Sequence, residues 1–142
     1  MDFNEHLALS LPVSAGLYLA TGDPWAAAAY TVTGVLIDLD HLADYWRETG
    51  INLDHGRFMS YFPDRGPQHL LLFLHAWEWP ATWWTIALAT GAPLWALAAG
   101  AGWMAHLVQD QLYNEMAPFS YFFAYRWRTA FSAAALYQDK AP

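Results

Sequence analysis

The sequence predicts an all-α protein, a compact bundle of about five helices forming one domain over residues 1–142. Three observations carry that expectation. No segment alternates apolar and polar residues as a half-buried strand would. Proline and glycine cut the chain into apolar stretches of helical length. With 142 residues and 56% apolar content, the chain is long and greasy enough to bury a core unaided.

The first helix is expected from about Asn4 to Ala20, with Asn4 as its N-cap and Pro12 kinking its interior; it stops at Thr21-Gly22-Asp23-Pro24. The second runs from about Pro24 to Trp46, since proline suits a first helical turn and Gly50 follows the end. Residues 49–67 hold Gly50, Gly56, Pro63, Gly66 and Pro67 and read as a long loop able to cover a site. A third helix is expected from about Gln68 to Thr90, bent near Pro80. After the turn Gly91-Ala92-Pro93, a fourth runs from about Pro93 to Asn114. A last helix follows Pro118, from about Ser120 to Tyr137.

Composition narrows the function. Charged residues are 13% of the chain, about half the usual ~25%, which excludes intrinsic disorder. The absence of cysteine excludes disulfide scaffolds, thiolate zinc sites, iron–sulfur clusters and thiol nucleophiles. Six basic against thirteen acidic residues argue against a nucleic-acid partner, which needs a basic stripe to neutralise phosphates. The opening Met1-Asp2-Phe3-Asn4-Glu5 is acidic where a secretory leader is basic, so none is expected.

The charge is unevenly placed. Residues 24–37 and 79–109 carry no Asp, Glu, Lys or Arg. In an up-down bundle, the start of the first helix, the end of the second, the start of the third and the end of the fourth share one end, and nearly all the charge falls there. The far end is apolar. Nine Trp and eight Tyr suit a boundary between wet and greasy surroundings. The apolar stretches, ~15–20 residues, are marginal against the ~20 needed to cross a bilayer. The expectation is a protein associated with the inner membrane, its charged end toward the cytoplasm, because Arg47, Arg57 and Arg65 lie at that end. The alternatives are apolar stretches that fill the centre of a soluble bundle and a homo-oligomer that covers the apolar face.

The same charged end collects the chemistry. His6 opens the first expected helix; Asp38, Asp40 and His41 close the second; His69 opens the third; His106 and Asp110 close the fourth. His106 and Asp110 are four apart and Asp38 and His41 three apart, so each pair shares a helix face. Imidazoles and carboxylates brought together from rigid elements suit a divalent cation, and zinc accepts both. His6, Asp38, His69, His106 and Asp110 are the expected ligands of one or two zinc ions. Taken singly, each has a plainer reading: a bonded core histidine, a solvated helix end, a surface pair. Their meeting at one end is what favours a site. His75 with Glu78 reads first as a buried polar pair, with ligand or ligand-orienting duty as its alternative, and His55 beside Asp54 reads first as a solvated loop histidine, with a lid over the site as its alternative.

Four segments resemble the LexA-binding, inner-membrane-associated metal-dependent hydrolase family. Glu5-His6-Leu7 matches its N-terminal histidine. Gly34-Val35-Leu36-Ile37-Asp38-Leu39-Asp40-His41 resembles G-x-L-x-P-D-x-D-H, one position shorter and with Ile37 in place of proline. Asp64-Arg65-Gly66-Pro67-Gln68-His69 matches H-R-G-x-T-H, with Asp64 for the first histidine and Gln68 for threonine. Ala105-His106-Leu107-Val108-Gln109-Asp110 matches S-H-x-x-x-D, with Ala105 for serine. The order holds from about residue 4 to 115. The resemblance implies a helical, membrane-associated, metal-dependent hydrolase, distantly like zinc-dependent phospholipase C. The expected activity is phosphoester hydrolysis on a small molecule or lipid head group. Asp40 and His41 would bridge a second ion, orient ligands or move a proton; Asp64 would add a ligand or general base; Arg65 would clamp an anionic oxygen. The competing readings are a catalytically silent metal-binding or protein-interaction module and, behind it, a haem- or quinone-binding helical protein.

Overall fold

The computed structural model describes residues 3–64 and 66–137. Among these the chain forms eight helices: α1 (Phe3–Thr21), α2 (Pro24–Leu36), α3 (Leu39–Thr49), α4 (His55–Asp64), α5 (Glu78–Ala89), α6 (Leu94–Tyr113), α7 (Phe123–Arg128) and α8 (Ala133–Leu136). The described residues include no strand, only isolated bridges at His69–Ser132 and Met116–Tyr137. The all-α bundle is as the sequence predicts.

The bundle is built on α2, which packs most extensively against α6 and then against α1, while α5 pairs with α6. Asp23 starts α2 by accepting bonds from the backbone N–H groups of Trp25 and Ala26, with Pro24 in the first turn. Small residues set the helix spacing. A Cβ on Gly102 of α6 would lie 2.3 Å from the Tyr30 carbonyl oxygen of α2, so the two backbones approach as only glycine allows. Thr33 reinforces the contact by donating to the Ala99 carbonyl at 2.7 Å. A Cβ on Gly34 would meet Ser10 Oγ at 2.7 Å, which brings α1 equally close.

Four expected boundaries are corrected. The second helix does not run unbroken to Trp46; it is interrupted at Ile37–Asp38, and α3 starts anew. Residues 49–67 are not one loop, since His55–Asp64 is helical, started by Asp54 accepting from the Arg57 backbone. The expected last helix is broken into α7 and α8 by positive φ at Ala130 and Phe131. The third expected helix begins ten residues late, at Glu78. Residues 68–77 are irregular because distant side chains take their backbone groups. Asp44 accepts from Leu72 N–H at 2.9 Å and Asp40 from Leu74 N–H at 2.8 Å. Arg126 donates to the Leu72 and His75 carbonyls at 2.8 and 2.9 Å, and Trp103 to that of Leu74. Leu72 itself sits at φ 40°. These bonds replace the helical ladder that the sequence pattern suggests.

Candidate metal centre

Five elements deliver the site. His6 comes from the first turns of α1, and Asp38 from the break between α2 and α3. Asp40 and His41 come from the start of α3, His75 from the irregular segment, and His106 with Asp110 from the last turns of α6. Asp38 stands at the N-cap position of α3 but makes no capping bond. Its carboxylate faces the histidines instead.

The histidines share one arrangement. His6 Nδ1 donates to Gln109 Oε1 at 2.9 Å, His75 Nδ1 to Asp40 Oδ2 at 3.0 Å, and His106 Nδ1 to the Gly34 carbonyl at 3.1 Å. Carbonyl and carboxylate oxygens only accept, so each ring carries its proton on Nδ1. The three Nε2 atoms are thereby turned inward. His6 Nε2 meets Asp110 Oδ1 at 3.2 Å, and His75 Nε2 meets Asp110 Oδ2 at 3.1 Å. His106 Nε2 lies 3.4 Å from Asp38 Oδ1, and His75 and His106 bring their Nε2 atoms to 3.1 Å from each other. Two such nitrogens, each already protonated on Nδ1, repel unless a proton or a cation lies between them. Outer partners that fix the tautomer and aim the other nitrogen at a common point are what metal-binding histidines use.

Burial sharpens the electrostatics. His6, His75, His106 and Asp110 are almost inaccessible. Burial alone would lower the His75 and His106 pKa values; the charge of Asp40 and the bonds to Asp110 and Asp38 outweigh it for His75, and the bonds to Asp110 and Asp38 do so for His106. Both are raised. Burial alone would raise Asp110, Asp38 and Asp40, yet the neighbouring histidines hold all three well below the usual carboxylate range. The shifts favour the protonated form of His75 and His106 and the ionised form of Asp38, Asp40 and Asp110, opposite charges that hold the cluster together.

The donors fall into two sets. His6, Asp38, His106 and Asp110 each offer a ligand atom, all within 4.8 Å of one another, and so do Asp38, His41 and His75. A buried His/Asp cluster able to hold a metal ion is therefore present.

The expected site residues divide accordingly. His6, Asp38, His106 and Asp110 come together as predicted, with Asp40 and His41 beside them. His69 does not join them. It is exposed on its own segment, with Nδ1 3.9 Å from Glu48 Oε1 and its backbone N–H bonded to the same carboxylate. The reading of His75 is also corrected. Glu78 is not its partner; it accepts from the Phe123 and Ala124 backbone at the start of α7, while His75 enters the cluster. His55 is exposed at the start of α4. Arg65 and the side chain of Asp64 lie outside the described residues. Sequence reasoning ranked a site role for His75 second and missed Gln109 and Arg126. Pro80 was the available signal for His75: proline is tolerated in a first helical turn and disfavoured later, which puts a helix start near Glu78 and leaves His75 outside it.

Compared with protein-family models, curated proteins and solved structures, the chain finds no match, so it is the donor arrangement that speaks to function.

Proposed function

We propose that this protein is a metal-dependent hydrolase of phosphoesters, with zinc as its cation. The observation that carries the reading is the set of three histidines whose Nδ1 protons are tied outward and whose Nε2 atoms meet two carboxylates. The resemblance of the segments around His6, Asp38–His41 and His106–Asp110 to the membrane-associated hydrolase family agrees with it, whereas the segment ending at His69 does not join the site. Bound there, a divalent cation would supply Lewis acidity and make hydroxide available at neutral pH.

The chain's own groups hold that centre in register. Asp40 keeps the His75 proton on Nδ1 and the ring aimed inward; the Gly34 carbonyl and Gln109 do the same for His106 and His6. Asp38, with 22% of its side chain exposed, marks the open side where substrate would enter. Asp64, the last residue of α4, and Arg65, next in sequence, are proposed to add a general base and an anion clamp. The substrate is a small phosphoester or a lipid head group.

The burial of His6, His106 and Asp110 favours a second reading, a silent module that keeps the cation for structure. Zinc content and turnover of p-nitrophenyl mono- and diesters separate the two. The wild type is expected to hold zinc and to hydrolyse one of these esters. His106→Ala should lose both properties, while His55→Ala, at an exposed helix start, should keep both. Zinc without turnover would favour the silent module. No zinc after incubation with excess cation would end both readings.

Association with a membrane is part of this proposal, and the surface supports it. Leu9, Leu11, Leu19, Trp25, Val32, Ile86, Leu88 and Trp95 are all exposed on α1, α2, α5 and α6. Among the described residues no helix is long and apolar enough to cross a membrane. The proposed contact is therefore a shallow one at the apolar end. The protein is expected to co-sediment with phosphatidylcholine vesicles, and co-sedimentation should fall with Trp25→Ser plus Trp95→Ser. Recovery of the wild type wholly in the supernatant would count against the contact.

A further inference from the structure

We infer that the polar end holds two cations bridged by Asp38, one enclosed and one at the mouth. The inference rests on the metal-dependent reading above and deepens it.

The first observation is a surplus of donors. His6, Asp38, His41, His75, His106 and Asp110 make six, whereas a zinc ion takes four ligands at ~2.0–2.2 Å. Bonds of that length put the donors of one ion within roughly 4.4 Å of each other. Two sets, each with its donor atoms within 4.8 Å of one another, share Asp38, and His75 adjoins both, its Nε2 lying 3.1 Å from His106 Nε2 and from Asp110 Oδ2.

The second observation is the aim of the shared carboxylate. Asp38 Oδ2 lies 3.7 Å from His6 Nε2 on the enclosed side. Its Oδ1 lies 3.4 Å from His75 Nε2 and 3.7 Å from His41 Nδ1 on the other. Oδ1 also lies 3.4 Å from His106 Nε2 of the enclosed set, so this one carboxylate reaches donors of both sets, as a bridging ligand must.

The third is an orphaned atom. His41 Nδ1 is buried and has no hydrogen-bond partner; what it faces are the carboxylates of Asp38 and Asp40. A buried ring nitrogen left this way is unfavourable unless something coordinates it. A cation in the second set would satisfy it.

The two positions differ in access. In the enclosed set His6 and His106 have no exposed side-chain surface and Asp110 has 2%. In the second set His41 is 27% exposed, and Phe62 of α4 packs edge-on against its ring. The enclosed position should load first and release last; the mouth position should exchange readily and face the substrate. Paired cations sharing a carboxylate suit phosphoester cleavage, where attacking and leaving oxygens both gather charge. The substrate class this assigns is a phosphoester whose phosphoryl group reaches the mouth beside Asp38 and His41.

The test uses the full chain, stripped with chelator and titrated with Mn(II) under electron paramagnetic resonance, with elemental analysis of the same samples. The wild type is expected to bind two Mn(II) per chain and to show an exchange-coupled signal. His41→Gln should bind one, with an uncoupled six-line spectrum, and unchanged helical circular dichroism should accompany it. One Mn(II) per wild-type chain, or two without coupling, overturns the bridged pair while leaving a single-cation hydrolase standing. No binding by the wild type overturns both. Because the wild-type count decides, a variant that failed to fold would not shelter the inference.

Discussion

Asp110→Asn is expected to abolish tight metal binding and to destabilise the metal-free protein at once. Asp110 is 1% exposed and uses both oxygens, Oδ1 toward His6, Oδ2 toward His75 and, at 3.5 Å, His106. The amide keeps the shape and loses the charge that holds three buried imidazoles. Removing one partner from a buried ionic cluster costs about 3–5 kcal/mol. Loss of a direct ligand should weaken zinc binding more than ~100-fold, since even outer partners of metal ligands account for ~10–100-fold.

The pH dependence gives the sign. Asp38, Asp40 and Asp110 have depressed folded-state pKa values, so the stability they contribute is present above about pH 4 and lost as pH falls through those values. His75 and His106 have raised values, so theirs is present below about pH 6.5 and lost as pH rises through the folded pKa. Metal-free wild type should therefore be most stable between about pH 4 and 6.5. Thermal melts with chelator from acid to alkaline pH read this directly. The maximum should flatten in Asp110→Asn, and zinc should restore wild-type stability on the alkaline side. A metal-free profile that rises steadily into the alkaline range would contradict the imidazolium–carboxylate array.

The second large effect is expected behind the ligands, at Arg126. Its guanidinium is 1% exposed and ties the Leu72 and His75 carbonyls to α7. Burial lowers its pKa, with the charges of Asp40, Glu78 and Asp44 acting the other way. Arg126→Met would leave both carbonyls without that donor and free the segment that carries His75. Hydrogen bonds to a charged group contribute about 1.5–3 kcal/mol each, and relief of the buried cation offsets part of that. A net loss of about 3 kcal/mol is expected in chemical denaturation, with roughly tenfold weaker metal binding, the range for residues that orient a ligand. Arg126→Lys should not rescue, because a single ammonium lacks the planar fork that reaches two carbonyls. Unchanged metal affinity in a folded Arg126→Met chain would show that α7 does not position His75.

What the sequence made legible follows from what is local. The i, i+4 pair His106 and Asp110, the helix-opening His6 and the Asp38–His41 stretch sit where helical period and turn residues put them. Their convergence follows from short connections between antiparallel helices. His75 was hidden because its position depends on carboxylates and a guanidinium far away in sequence: Asp40 and Asp44 before it, Arg126 after it. Local composition at residues 68–77 favours helix, and only the tertiary bonds overrule it. His69 carried the motif but not the geometry, because Glu48 binds the backbone of residues 68 and 69 and keeps the ring beside itself. The break at Ile37–Asp38 was equally invisible, since nothing in Leu36-Ile37-Asp38-Leu39 stops a helix.

The bond between His6 and Asp110 joins residues 104 apart in a chain without cysteine. Closing a loop of that length costs about 4 kcal/mol of chain entropy beyond a constant. A cation held by both residues would act as a reversible cross-link, stabilising the folded chain because it binds that state and not the unfolded one. Unlike a disulfide, that tether would be indifferent to thiol reductants and would open to a chelator. It would also close late in synthesis, because Asp110 leaves the ribosome long after His6 and Asp38. Until then, the carboxylates at the start of α3 wait without the histidine of α6 that they will face.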